Sequence, residues 1–568
     1  MATLDYVILF GYLGGTLAFG LLFARRNRSV RDMFAAGGAS PWWVAGLSSF
    51  MTMFSAGTFV VWGGIAYKYG VVAILINISY GVAALAAGYW VAGKWNALGV
   101  RTPAEFIELR FGERAIRFYT WTLIGFRVVD VSITLYALAV VLATLMPLSV
   151  GNWLRDPQTG HISIALLTCG FGAIVIVYTM FGGLWAVLMT DVLQFVILNL
   201  SVIFVVLLTL IGVPSLHDLA AAAPAGFFEP TGGGYGWLFL AGWCTTQFFI
   251  IGADWAFAQR FLSVRSPRDA RKATYLFGCL YFVSPLIWLA PPLLFRLTHP
   301  GANPEQAYIL AGQAVLPAGM IGLMVAAMFS ATASTVSGYL NVFAGVLTND
   351  VYRRLFRPAA GERELVKAGR MFSGIIGVVL VVLAVVVPQA GGVEHIVILW
   401  ATLIVGPLMA PTIWGLLSPR VTTRALWMTV AISFAAGVLF KVGAQMGWAL
   451  IPEGMVDVTV GVILPVIVLS VAHFVSRGEA PGWRRTQEAA SAAIRSHGPI
   501  DTLPARALGI SLSVSGAVIL ALVPFDPGYR TSLGAFGAAV LLLGIGVWLA
   551  ARRLHERVMR ESSLEGVS

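Results

Sequence analysis

Ser48-Ser49-Phe50-Met51-Thr52-Met53-Phe54-Ser55-Ala56-Gly57-Thr58 sets a cluster of small and hydroxyl side chains halfway along a stretch that is otherwise apolar. Five apolar stretches later, the segment 236–258 is interrupted again, by Trp243, Thr245, Thr246, Gln247, Gly252 and Asp254. Small residues in membrane helices usually serve close packing, and either interruption alone would read that way. Two interruptions in matched positions instead fit a pair of inverted five-helix repeats. In such bundles each half contributes a broken helix whose free backbone groups lie near the bilayer midplane.

Composition fixes the solvent. Of 568 residues, 58% are hydrophobic and 11% charged, against roughly 25% charged in soluble domains. Crossing a ~30 Å hydrocarbon core takes about 20 mostly apolar residues. Fifteen such stretches begin near residues 5, 42, 73, 117, 161, 186, 236, 273, 306, 371, 395, 425, 457, 507 and 533. The expected fold class is an all-α membrane protein with about fifteen transmembrane helices.

The first stretch lacks a basic leader and is followed by Arg25, Arg26, Arg28 and Arg31, so it reads as a retained helix with its N-terminus outside. Lys and Arg collect in cytoplasmic loops, and alternate loops obey this. They hold Arg25 to Arg31, Lys94 to Arg117, Arg260 to Lys272, Arg353 to Arg370, Arg420 and Arg424, Arg477 to Arg506, and Arg552 to Arg560. The exceptions are Lys68, Arg127, Arg155, Arg296, Lys441 and Arg530. The C-terminus is therefore expected inside, and the net charge of +11 faces anionic headgroups. Membrane lipids are the expected partner of that charge; nucleic acid is not. Cys169, Cys244 and Cys279 have no CxxC spacing and read as small core residues. The polar connection 476–506, with Trp483, Arg484 and Arg485, reads as an interfacial linker.

The ninth stretch ends Ala327-Met328-Phe329-Ser330-Ala331-Thr332-Ala333-Ser334-Thr335-Val336-Ser337-Gly338-Tyr339-Leu340-Asn341. On a helix, residue 331 lies one turn below 334 and 335. The Ala331 carbonyl and the Ser334 and Thr335 hydroxyls can thus converge and await carbonyls from a broken partner. Alternatively each hydroxyl back-bonds to the preceding turn, and spacing alone leaves that open. Asp191 sits about six residues, roughly 9 Å, into its helix, and an intramembrane carboxylate is a functional candidate by default. Arg127 and Asp130 are placed at i and i+3 to pair within the membrane.

Several separate segments resemble the sodium:solute symporter family. They are Tyr178-Thr179 followed by Gly182-Gly183-Leu184-Trp185-Ala186-Val187 and Thr190-Asp191 with Gln194; Arg101-Thr102-Pro103 with Glu105-Phe106 and Arg110-Phe111-Gly112; Gln259-Arg260; and the hydroxyl run leading to Asp350-Val351-Tyr352. The resemblance covers about residues 5 to 445 and implies a LeuT-like 5+5 inverted-repeat bundle. The domains expected are 1–41, an extra N-terminal helix and first cytoplasmic loop; 42–213 and 236–418, the two repeats; and 425–568, additional C-terminal helices.

The resemblance also implies a sodium site between the first and eighth core helices, falling here on Ala331, Ser334 and Thr335 with the carbonyls of Met51 and Phe54. Some relatives hold a further sodium at the position of Asp191. Here Ser334 and Ser337 match that site, but Gly338 supplies no side-chain oxygen, which leaves a second ion in doubt. Solute is implied beside the broken helices, near Thr52, Ser55, Thr58, Trp62, Asn77, Tyr80, Trp243, Gln247 and Asp254. Sugar carriers of the family share a Gln or His on the first core helix and a Lys on the seventh, where this chain has Thr58 and Tyr281. Proline carriers place an acid where this chain has Met53. Trp62, Trp243 and Trp400 could stack on a sugar or cradle a quaternary amine, or simply pack.

The expectation is a sodium-coupled symporter importing a small organic solute by alternating access, with Na+ as the coupling ion, no other cofactor and no enzymatic activity. No HExxH or GxSxG motif occurs, and histidines number seven. The rivals are a proton-coupled or uncoupled carrier, with Asp130, Asp191 or Asp254 to carry the proton, and a solute sensor. The expected location is the cell membrane, crossed many times.

Overall fold

The computed structural model describes residues 2–22, 29–157, 160–211, 223–317, 319–386, 393–448, 453–492, 503–523 and 530–565. Arg25, Arg26, Arg28 and Arg495 lie outside the described residues, as does the side chain of Trp400. Among the described residues the regular elements are all helices, and ten are long and apolar enough to cross a membrane. Trp237–Ala253 and Ile404–Leu417 are apolar but shorter.

The chain opens with α1 (Thr3–Leu22) and reaches the first interrupted segment as α2 (Trp42–Thr52), a π-helical turn (Thr58–Trp62) and α3 (Gly63–Tyr69). Next come α4 (Val72–Ala87), α5 (Pro103–Phe111), α6 (Glu113–Thr144) and α7 (Ile164–Ile211). Two of the expected stretches meet within α7 at Gly183, whose φ of 59° and ψ of −159° divide it into two helices. A side chain rarely tolerates that conformation. The second interruption lies between α8 (Trp237–Ala253) and α9 (Trp255–Ser263), where Asp254 is extended. After α10 (Pro267–Trp288), the stretch expected to begin near 306 proves to be two pieces. A short helix, Ala307–Val315, ends before Pro317, and Gly319 at φ +90° starts α11 (Met320–Val346).

α11 is buried along nearly its whole length and packs against α1, α2, α6, α7 and α12 (Glu362–Val386). The longer helices that follow are α13 (Val393–Leu417), α14 (Thr423–Gln445), α15 (Leu464–Val475, continued from a π-helical turn at Thr459–Ile463), α16 (Pro481–Ala492), α17 (Leu503–Leu522) and α18 (Arg530–Glu565). α16 lies in the connection read as an interfacial linker. α17 and α18 pack on each other through glycines such as Gly516 and Gly544, and touch α7 where Phe204 meets Phe536.

Two contacts tie the later helices to the core. A Cβ added at Gly406 of α13 would lie 1.8 Å from the Gly461 carbonyl oxygen, so the two backbones touch. Buried Arg110 of α5 donates to the carbonyls of Gly415 (2.9 Å), Ser418 (2.9 Å) and Val421 (2.7 Å), capping the end of α13. Burial, with Arg485 nearby, pushes its pKa down to about 10.

One sequence expectation is corrected. Cys169 and Cys279 lie on the outer surface of the bundle and Cys244 is half-buried, so they are not core residues. The outer face of a membrane helix meets lipid, where a small apolar side chain carries no penalty.

Candidate cation and solute site

The first break spans Met53 to Ser55, where α2 stops short of the π-helical turn. A broken helix leaves carbonyls and N–H groups without intrahelical partners, and the hydroxyls of α11 meet them. Thr335 donates to the carbonyls of Phe54 (3.0 Å) and Thr52 (3.3 Å) and lies 3.4 Å from that of Ala331. Two carbonyls of the break and one from the preceding turn of α11 therefore surround one hydroxyl. One turn earlier, the Thr332 hydroxyl accepts the Ala56 N–H at 3.0 Å. Thr58 completes the break by accepting the Ser55 N–H at 3.2 Å.

The expected cation ligands are thus placed unevenly. Ala331, Thr335 and Phe54 come together. The Met51 carbonyl is instead taken by the Phe54 N–H at 3.1 Å, and the Thr52 carbonyl stands beside Thr335 in its place. The buried Ser334 hydroxyl has no hydrogen-bond partner within normal geometry and lies beside Asp191. Thr332 and the Thr52 carbonyl went unrecognised in the sequence, although Thr332 stands at i−3 from Thr335 and so on the same face.

Asp191 is fully buried and accepts a short hydrogen bond from Ser48 of α2. Arg260 of α9 approaches it at 3.5 Å, both side chains being wholly buried. The guanidinium also donates to the Ser48 hydroxyl and to the Ala256 carbonyl, each at 2.8 Å. A Cβ at Gly338 would come within 3.0 Å of it, so the missing side chain at 338 leaves room for arginine. Ser337 donates to the Ser334 carbonyl at 3.1 Å.

The second break is built on charge. Asp254 caps α9 by accepting the Ala256 N–H at 2.9 Å, a favourable place for an anion at a helix start. Its other oxygen takes two bonds from Arg127 of α6, at 3.0 and 2.7 Å. Arg127 reaches Asp130 as well, at 3.0 Å, and lies over the Tyr339 ring at 5.2 Å. The Arg127–Asp130 pairing follows the expected spacing. Asp254, a candidate for solute contact, is held by arginine and by its own helix end.

Among the remaining candidates, Trp62, Tyr80 and Trp243 converge, with ring centroids 5.7 to 6.4 Å apart. Tyr80 also stacks on Tyr281 at 5.2 Å. The Trp243 indole N–H, beside the Tyr80 hydroxyl, and the Gln247 carbonyl oxygen are buried without a hydrogen-bond partner of normal geometry. Asn77 and Thr52 are spent on carbonyls of their own helices, at 2.9 and 2.8 Å; Ser55 lies half-buried in the break.

Among known proteins, the sodium/sialic acid symporter NanT of Aliivibrio fischeri is 28% identical over 402 residues, covering 66% of this chain and 76% of that relative. A sodium/glucose cotransporter of Vibrio parahaemolyticus is 23% identical over 482 residues, covering 78% and 86%. A Na+-coupled sialic acid symporter, solved substrate-bound and outward-open, matches with a TM-score of 0.71 at 22% identity over 84% of this chain and 99% of its own. Mhp1, a nucleobase-cation-symport-1 family transporter, follows with a TM-score of 0.52 at 15% identity, covering 80% and 98%. These structures share the LeuT-like fold and speak for architecture alone. Its membrane-length helices and its match to the sodium:solute symporter family make the chain a multi-pass protein of the cell membrane. The sodium:solute symporter family model matches residues 33–432, which take in both breaks and the whole of α11, and the chain belongs to that family of sodium-coupled transporters.

Proposed function

We propose that the protein imports a small organic solute together with sodium by alternating access, and that one sodium binds between α11 and the first break. The observation that carries this reading is Thr335, whose hydroxyl stands within hydrogen-bond distance of carbonyls from both helices. A hard cation between them takes the oxygens' lone pairs while the Thr335 proton rotates away. The ion then joins the broken helix to α11 in one conformation, and by linkage it raises solute affinity only as far as it favours that conformation.

A second ion at Asp191 with Ser337 is disfavoured, because Arg260 already supplies a positive charge at that carboxylate. The same pairing argues against a proton carrier. Asp130 and Asp254 share Arg127, and Asp191 has Arg260. The solute is placed against Trp62, Tyr80 and Trp243, with the indole N–H of Trp243 and the amide of Gln247 as hydrogen-bonding groups. Relatives named for sialic acid and glucose fit a hydroxyl-rich molecule with a face to stack on a ring. We place the N-terminus outside and the C-terminus inside, and assign no catalytic step to the chain.

The test is thermal stability of the purified full chain against a library of small polar solutes, in sodium or with choline as the only cation. Stabilisation by a solute that appears in sodium alone is the expected result. Equal shifts in both salts would sink sodium coupling.

A further inference from the structure

The helix that precedes the repeat pair is fastened to the cation helix. One face of α1 is apolar and exposed, with Val7, Phe10 and Leu22. The opposite face carries Asp5, Tyr12 and Thr16 at helical spacing, and all three reach into the protein. Asp5 is wholly buried and accepts the N–H groups of Gly319 and Gly322 at 2.7 and 2.9 Å. These are free donors at the start of α11, so the carboxylate caps a helix more than three hundred residues away in sequence. A Cβ at Gly322 would lie 2.2 Å from the Asp5 carbonyl oxygen, so the two backbones touch there.

Two further turns along α1, the Tyr12 hydroxyl makes a short hydrogen bond with that of Ser330. Ser330 in turn donates to the Ala326 carbonyl at 2.7 Å. Nearer the end of α1, Gly20 lies against Tyr178, whose hydroxyl donates to the Ala333 carbonyl at 3.2 Å. α11 is therefore held at 319–322, at 330 and at 333. The next residues are Ser334 and Thr335, and Ala331 lies between the last two holds. A peg that only added stability would not need polar contacts graded along the helix toward the ion ligands.

We infer that Asp5 and Tyr12 are positioning residues for the cation site. Asp5 fixes the height of α11 and Tyr12 its rotation, so that the Ala331 carbonyl and the Thr335 hydroxyl face the first break. This rests on the sodium reading above. Neither residue touches the ion.

The experiment titrates sodium chloride, with choline chloride holding ionic strength constant, and reads thermal stability of the purified full chain. Wild type, Thr335→Ala, Tyr12→Phe and Asp5→Asn are compared. Tyr12→Phe keeps the ring and loses the hydroxyl. It should raise the sodium concentration for half-maximal stabilisation about three- to tenfold, the scale of one lost hydrogen bond, while stability in choline changes little. Asp5→Asn should move in the same direction; if it does not fold, Tyr12→Phe decides alone. A Tyr12→Phe protein that titrates like wild type, while Thr335→Ala does not, overturns the positioning function and leaves the sodium site standing. A wild type indifferent to sodium removes both.

Discussion

The two helix breaks solve the same problem with different chemistry. At Met53–Ser55 the loose backbone groups meet neutral hydroxyls from Thr58, Thr332 and Thr335. At Asp254 they meet a carboxylate held by Arg127. A neutral set of oxygens leaves room for an external positive charge, whereas the second break brings its own. Asymmetry between the repeats thus separates the break proposed to bind an ion from a self-neutralised one.

That contrast can be broken most violently at the charged hinge. Arg127→Met would leave Asp130 and Asp254 without their cation, and should destabilise the protein by ~3–5 kcal/mol. Arg127→Met combined with Asp254→Leu should recover much of that loss in chemical denaturation. Equal loss in single and double variants would show that the ion pair is not the organising contact.

At the neutral hinge the effects should be smaller. Thr332→Val strands the Ala56 N–H and should cost ~1–3 kcal/mol, read by the same denaturation and equally in sodium and in choline. Thr335→Ala should add a sodium-specific effect. Stability in choline should fall by ~0.5–1.5 kcal/mol, while the sodium requirement for half-maximal uptake rises about tenfold, equivalent to ~1.4 kcal/mol. Thr335→Ser keeps the oxygen and should shift it less than about threefold. An unchanged sodium requirement in Thr335→Ala would move the ion elsewhere.

Much of the architecture was legible because membrane solvent imposes a length on every apolar stretch, and because polar residues in Ser48–Thr58 and at Asp254 interrupt two of those stretches. Hydroxyl periodicity likewise marked one face of α11. What could not be read was rotation. Ser334 and Thr335 are about 100° apart on the helix, following from 3.6 residues per turn. Which of them meets the break depends on contacts such as Tyr12 with Ser330. Partners distant in sequence were equally hidden. Asp130 was visible beside Arg127 at i+3, but Asp254, 127 residues away, was not. The start of α11 was misplaced because Ala307–Val315 is as apolar as the helix it precedes, and only Pro317 and Gly319 separate them.

The backbone contact between Gly406 and Gly461 bears on movement. Helices separated by side chains can slide as rotamers change, but two backbones in contact have nothing between them to rearrange. In the proposed transport cycle the joint would therefore act as a fulcrum and not as a bearing. With Arg110 clamping the far end of α13, the last helix of the second repeat shares its leverage with helices outside the repeats. In the alternating access proposed above, those later helices would form the chassis against which the two broken segments swing.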